Sequence, residues 1–464
     1  MDIIKFGIEK GLYPYMETRK GNQVRYFTEE LKATAKLPAF LIKQLQKERL
    51  AALLKYCADQ VPAYWYLNDP EVLAQIDQDP EKVLRERVPL LGKQEFKADP
   101  DRYMAKDFPK EKLIKNITGG STSEPLNFYM DRWQVEHYEA ARFRGLSWND
   151  ISYGSRSIMV WGNQYELSAQ AQKKIALKDR FLKNRRMISC FGLYPSQMGE
   201  YVDLINSYKP EFLYGYSGGL AAFAQLLKDY GPEKIKVQLK AVLATSETLF
   251  DWQRDIIRDV FKCPVLGEYG ARDAGILSFS CPCGHSHLTA ENAYFEILDP
   301  VSLEPVEPGT PGIVAVTDLN AKAQPRLRWL LGDTLVVEPE GISSELSKEC
   351  GINLPILRKV EGREDAILLA TDGSLVHGDI ISAAARERIR IKQARFIQHT
   401  PMTATLMLAG DVDEALGQEF IDQIKLRLGQ DMEIELKIVD EIAPLPSGKQ
   451  RYALREFDLK NIRT

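Results

Sequence analysis

The chain lacks most of what a membrane protein, a disulfide scaffold or a nucleic-acid-binding protein needs. No apolar run in its 464 residues approaches the roughly 20 residues of a bilayer-spanning helix. The N-terminal MDIIKFGIEKGLYPYMETRK has neither an unbroken apolar stretch nor a small-residue cleavage signal, so a cytoplasmic protein with no membrane span is expected. Six cysteines over this length are too sparse for a disulfide framework, and a reducing compartment keeps them as thiols or metal ligands. Positive charge is not in excess: 61 Lys and Arg stand against 65 Asp and Glu, a net of −4, which argues against a nucleic-acid partner. There is no internal repeat, and no Gly-Lys-Ser/Thr ending that would make a Walker A loop.

What remains is a globular composition, 44% apolar and 27% charged, long enough for a large α/β domain with a smaller appendage. Residues 1 to about 90 read as mostly helical, with Leu50, Leu53, Leu54 and Cys57 at i, i+3, i+4 and i+7 before Pro62 ends the run. From about 110 to 330, apolar segments such as RSIMVWG, EFLYG, KAVLAT and GIVAVTD alternate with helical stretches such as GLAAFAQLLKDYG, the pattern of α/β layers. After GRED (362–365) the pattern changes. AILLATDGSLVHG reads as a hairpin turning at Asp372-Gly373, followed by a helix and the strands ARFIQHT and TATLMLAG. A second helix then carries Leu416, Phe420, Ile424 and Leu428 on one face, and EIELKIV alternates at period two. The expected division is a large α/β domain over residues 1–361 and a small α+β lid over 362–464.

Several short segments carry chemistry. In NITGGSTSEP, adjacent Gly119 and Gly120 let backbone N–H groups approach an anion, and Ser121, Thr122 and Ser123 add hydroxyl donors without bulk, which suits nucleotide phosphates. In LGEYGARDAG a strand ends in Glu268, Tyr269 and Gly270. The aromatic ring can lie on a base, and Asp273 can meet Mg²⁺ against triphosphate oxygens. LRWLLGD places Asp333 after Gly332 at a strand junction, and LPSGKQR places Lys449 in a loop near the C-terminus. SFSCPCGHSHL gathers Cys281, Cys283, His285 and His287 within seven residues, and Cys350 follows later; thiolate and imidazole at this density suit Zn²⁺.

In order along the chain, TGGSTSEP (118–125), TSETL (245–249), EYGARD (268–273), LLGD (330–333), GRED (362–365) and LPSGKQR (445–451) resemble the motifs of the adenylate-forming superfamily. Within it the similarity is to the phenylacetate-CoA ligase family and its relatives linked to capsular polysaccharide biosynthesis. The resemblance implies a ligase that activates a carboxylic acid with ATP as an acyl-AMP and passes the acyl group to CoA. Transfer to an amine in polysaccharide or metabolite biosynthesis is the alternative acceptor, and a catalytically idle nucleotide-binding protein is the rival from another class. A homodimer is compatible with this reading.

The resemblance also implies residue roles. Thr118, Gly119, Gly120, Ser121 and Thr122 embrace the ATP phosphates, Ser246 and Glu247 line the adenine and acyl side with Glu268 and Gly270 near them, and Tyr269 stacks on adenine. Asp273 stands where the family usually has Glu and serves as the magnesium-linked carboxylate; one methylene shorter, it suits a water-bridged contact. Asp333 accepts from the ribose hydroxyls and Arg363 reaches the nucleotide. Lys449 bridges the attacking carboxylate and the α-phosphate, and Asp365 is the hinge on which the lid turns between half-reactions. GYSG (215–218) falls near the substrate, with Trp161, Asn163, Tyr216 and Ser217 as pocket candidates. Ser123 and Glu124 depart from the family's glycine and lysine before proline. Relatives carry a Cys and a His six positions apart followed by Cys-x-Cys-Gly, whereas this chain has Lys348 in place of the first downstream cysteine. The zinc set implied is Cys281, Cys283, His287 and Cys350, with His285 in reserve and a structural role.

Overall fold

The computed structural model describes residues 2–117, 126–161, 177–190, 193–378, 380–381, 390–443, 451–457 and 459. The phosphate-loop expectation on 118–125, Asn163, the helix expected after the hairpin at 382–389, and Lys449 lie outside the described residues.

The N-terminal hundred residues are helical, as the spacing predicts. The long helix Ala39–Gln60 buries Leu50, Leu53, Leu54, Cys57 and Ala58. It stops where Val61, next to Pro62, is pushed into the extended region at φ −113° and ψ 115°. A short hairpin, β1 (Ile114–Ile117) and β2 (Asn127–Met130), leads into the helix Arg132–Ser147.

One eleven-stranded sheet organises the next 230 or so residues. Its strands are β3 (Ser157–Trp161), β4 (Arg185–Ser189), β5 (Phe212–Tyr216), β6 (Ala241–Thr245), β7 (Val265–Ala271), β8 (Gly275–Ser280), β9 (Ser286–Leu288), β10 (Ala293–Leu298), β11 (Gly312–Asp318), β12 (Trp329–Val337) and β13 (Ile356–Arg363). They run in the order β10-β11-β12-β13-β9-β8-β7-β6-β5-β3-β4. The half from β4 to β7 is parallel, and the half from β7 to β10 is antiparallel.

Sequence explains the split. SIMVW and AVLAT are continuously apolar, as strands buried on both faces must be, and β6 is buried at all five positions. The crossover helices Ser217–Tyr230 and Asp251–Phe261 bring Leu220, Phe223, Leu227 and Ile257 onto Ile158, Leu213 and Val242 of the sheet. The direction reverses at the tight turn after β7. Gly275 there has φ +83°, and a Cβ would meet the Tyr138 ring at 2.3 Å, so glycine is required twice over.

Beyond β13 a single turn, Glu364–Ala366, leads to the hairpin β14 (Ile367–Leu369) and β15 (Leu375–His377), with the Asp372 carboxylate accepting from Ser374 N–H at the turn. A four-stranded sheet follows, β16 (Ile391–Gln398), β17 (Thr403–Gly410), β18 (Glu433–Val439) and β19 (Ala453–Arg455), ordered β18-β17-β16-β19. The helix Glu414–Leu428 covers it with Phe420, Ile421, Ile424 and Leu428. β18 is the edge strand, and its period-two alternation holds at Ile434 and Leu436 but leaves Ile438 exposed. The boundary expected between residues 361 and 362 falls inside β13, whose ladder with β12 continues to Arg363. Among the described residues, no helix is long and apolar enough to cross a membrane.

Candidate active site at the ends of the parallel strands

In an open α/β sheet, ligands bind beyond the carboxyl ends of the strands. Here β3, β5, β6 and β7 end in Trp161, Tyr216, Thr245 and the Glu268-Tyr269-Gly270 run, so the sheet brings together segments that are far apart in sequence. The Trp161 ring stacks on Tyr216 at 4.0 Å between centroids and lies parallel to Tyr214 at 5.7 Å, forming an aromatic wall. Burial, reinforced by Cys190 and Glu247, pushes the Tyr216 hydroxyl up to about 12, so it stays protonated at neutral pH.

Ser217 opens the helix after β5, fully buried, and its hydroxyl donates to the Glu247 carbonyl at 3.2 Å. Gly218 N–H donates to Glu247 Oε2 at 2.9 Å, so a carboxylate caps the positive end of that helix. Ser246 takes φ +67°, a conformation that non-glycine residues seldom adopt and that concentrates at functional loops.

Glu268 is buried and its two oxygens receive Arg142 Nε at 2.7 Å and Nη2 at 3.0 Å, with Thr245 and Tyr214 hydroxyls at 3.1 and 3.3 Å. Protein donors surround it, which makes it a support for the end of β7. The glycine of EYG is required by the hairpin: a Cβ on Gly270 would meet the Gly275 carbonyl at 2.5 Å.

Tyr269 reaches across to β12, where its hydroxyl donates to Asp333 Oδ2 at 3.0 Å. Arg363 Nη1 donates to Asp333 Oδ1 at 2.6 Å and to the Leu331 carbonyl at 3.0 Å. Gly332, at φ +74°, lets the guanidinium lie over the backbone; a Cβ there would stand 2.8 Å from Arg363 Nη2. A carboxylate offers about four acceptor positions, so Asp333 keeps capacity for two ribose hydroxyls.

Asp273 is buried under Trp329, whose indole Nε1 donates to Oδ2 at 3.0 Å, and Arg326 Nη2 donates to the Asp273 carbonyl at 2.7 Å. Asp365 holds Arg451 by both terminal guanidinium nitrogens, one bond at 2.8 Å. Burial works to raise its pKa, but the hydrogen bonds from Arg451 and the charges of Arg451 and Arg363 outweigh this and hold it below the usual carboxylate range.

Sequence reasoning missed Lys93, which begins the helix Lys93–Ala98 and shares the electrostatic field of Arg363, Asp273, Asp333 and Asp365. Burial, and then Arg363, lower its ammonium below the ordinary lysine value, while the three carboxylates oppose the shift. Only a glycine before it marks the position in sequence, a signal too common to single it out.

The cysteine cluster forms in part. One ligand atom each from Cys281, His287 and Cys350 lies within 4.8 Å of the others, with Cys350 Sγ 3.4 Å from His287 Nε2. Cys283 does not join them. It sits exposed at the tip of the β8–β9 turn, where Cys281 N–H closes onto the His285 carbonyl at 2.8 Å and Gly284 N–H onto the Cys281 carbonyl at 3.0 Å. His285 is not in the group either; its Nε2 lies 3.0 Å from a Glu349 carboxylate oxygen. The three residues suit zinc in one further respect. His287 Nδ1 is directed at the Leu354 carbonyl at 3.3 Å, which fixes the tautomer that leaves Nε2 as a lone pair facing the cysteines. Burial lowers the imidazole to about 4, keeping it neutral as a metal ligand must be.

The chain has the fold of 2-hydroxyisobutyryl-CoA ligase. It aligns with 2-hydroxyisobutyryl-CoA ligase, solved in its postadenylation state in complex with R3-HIB-AMP, at a TM-score of 0.67 and 18% identity over 92% of both chains. Residues 368–456 match the CapK C-terminal domain family. The chain is 23% identical to protein CapK of Staphylococcus aureus over 375 residues, 80% of either chain. It is 21% identical to phenylacetate-coenzyme A ligase of Thermus thermophilus over 437 residues, 92% of this chain and 91% of the relative.

Proposed function

We propose that the protein is an AMP-forming ligase that activates a carboxylic acid with ATP and transfers the acyl group to CoA, acting in the cytoplasm. The observation that carries this reading is the junction of Tyr269, Asp333 and Arg363, which joins three of the expected nucleotide-binding motifs at one point of the sheet. The names of the phenylacetate-CoA and 2-hydroxyisobutyryl-CoA ligases support CoA as the acceptor.

In the proposed reaction the acid's carboxylate attacks the α-phosphorus and pyrophosphate leaves; the thiol then displaces AMP. Asp333 takes the ribose hydroxyls, the Thr118–Thr122 segment takes the phosphates, and Trp161 and Tyr216 face the acyl group, with Ser217 buried behind them. Lys449 stabilises charge building at phosphorus, the kind of preorganised electrostatic contribution that dominates such steps. Magnesium, which is commonly held by one or two carboxylates together with substrate phosphates, would be held by Asp273 and would neutralise phosphate charge. Zinc would be held by Cys281, His287 and Cys350 and would brace the fold.

The test is pyrophosphate exchange into ATP across a panel of aryl, alkyl and amino acids, with Lys449→Ala as the control, followed by addition of CoA or amines. Exchange driven by one acid class and lost in Lys449→Ala supports the reading. A folded protein that exchanges pyrophosphate with no acid in the panel would sink it. Product with an amine but none with CoA would replace only the acceptor.

A further inference from the structure

In this chain the carboxylate assigned to magnesium is an aspartate, one methylene shorter than the glutamate usual in the superfamily it resembles. A shorter arm reaches less far and must be held more firmly to present the same charge at the same place. The turn after β7 is backed by the strand that carries the ribose carboxylate. Trp329, the first residue of β12, is 1% exposed and packs edge-on against Phe96 at 5.6 Å. The only polar atom of its side chain donates to Asp273 Oδ2 at 3.0 Å. Arg326, three residues earlier, lies between the rings of Phe96 and Phe128 and holds the Asp273 carbonyl at 2.7 Å. Side chain and main chain of Asp273 are thus fixed from one segment, four residues before Asp333. Among the described residues no donor reaches Oδ1, and that oxygen remains for a ligand.

We propose that Trp329 is a positioning residue for magnesium, its indole N–H locking the shortened carboxylate of Asp273 so that the free oxygen meets the metal of Mg·ATP or the metal's water. The inference rests on the reading of Asp273 as the magnesium carboxylate. A hydrogen bond to a charged acceptor, buried and aligned as this one is, stabilises one rotamer over its alternatives. A carboxylate free to turn binds a metal more weakly by the fraction of time it points elsewhere. Placing donor and ribose acceptor on one strand also fixes the distance between the metal and the sugar.

The test uses Mn²⁺ as the probe. Its affinity for the protein–ATP complex is read from water proton relaxation, apart from any turnover, and the Mg²⁺ dependence of pyrophosphate exchange is measured in parallel. Trp329→Phe keeps a ring and removes the donor, and the expected result is Mn²⁺ affinity lower on the order of 10-fold with nucleotide affinity in the absence of metal unchanged. Excess Mg²⁺ should restore most of the exchange rate, which lost core packing would not allow. Should Trp329→Phe fold poorly, benzothienylalanine at position 329 replaces N–H by sulfur in the same shape and should give the same loss. Unchanged Mn²⁺ affinity in the folded variant, alongside a loss in Asp273→Asn, would overturn the role of Trp329. Unchanged affinity in Asp273→Asn itself would overturn the reading of Asp273 instead.

Discussion

Arg451 lays its guanidinium on the carboxylate of Asp365, Nη1 to Oδ2 at 2.8 Å, and so ties the turn after β13 to a point two residues beyond Lys449. Arg451 is therefore held at the turn while this pair lasts. Arg451 is largely buried and Asp365 partly so, which shields the pair from the screening that weakens surface ion pairs.

Breaking that pair should change the first half-reaction through the lysine loop. Arg451→Ala and Asp365→Asn should each lower the rate of pyrophosphate exchange on the order of 10-fold, mainly in kcat. The double variant should cost little more than either single one, because residues sharing one interaction do not add. Additive losses would mean that the two side chains act separately.

Asp333→Asn keeps the shape of the carboxylate but removes the charge that Arg363 and Tyr269 address. ATP and AMP affinity should both fall, on the order of 10-fold, because ribose hydroxyls donate less strongly to a neutral amide oxygen. Calorimetric titration with AMP checks this without turnover, and an unchanged AMP affinity would remove Asp333 from the nucleotide site.

Elemental analysis should find about one zinc per chain, bound through Cys281, His287 and Cys350. Cys350→Ser should release it, and Cys283→Ser, at the exposed turn tip, should retain it. A chelated protein that melts at the same temperature as the untreated one would show that no metal braces this region.

His137 gives the acid side of the stability profile a definite sign. Burial lowers its imidazole to about 4, against an unfolded value near 6.5. The unfolded chain therefore takes up a proton first as pH falls, and folded stability is lost progressively from about pH 6.5 down to 4, by about 3 kcal/mol from this residue. His137→Gln, which cannot titrate, should flatten that part of the curve in denaturant titrations. An identical slope in wild type and variant would show that His137 protonates without resistance in the fold.

What could be read in advance was whatever local spacing controls. SIMVW, AVLAT and GIVAVTD announce buried strands by unbroken apolar runs, and Asp372-Gly373 announces its hairpin. The pairing of Tyr269 with Asp333 was not readable, because 64 residues separate them and three strands, β13, β9 and β8, stand between β7 and β12 in the sheet order. Lys93 and Trp329 were hidden for the same reason: each looks like an ordinary surface or core residue until its neighbours are known. Cys283 is the converse case: closeness in sequence suggested a shared ligand set, whereas the structure groups Cys281 with His287 and Cys350 and leaves Cys283 exposed. In this Cys-Pro-Cys-Gly turn Cys281 is buried and Cys283 is exposed.

β13 joins two distant parts of the molecule. One end of this eight-residue strand pairs Ile356 with His287, beside the cysteines; the other pairs Gly362 and Arg363 with Thr334 and Asp333, just before the turn at Asp365. An extended strand of that length covers about 26 Å and resists bending across its hydrogen bonds. The Cys281–His287–Cys350 group lies at one end of that span, and the Asp333–Arg363 pair lies at the other. Loosening that group should therefore be felt at the far end of the strand, as a shift of Arg363 against Asp333, before any loss of the fold.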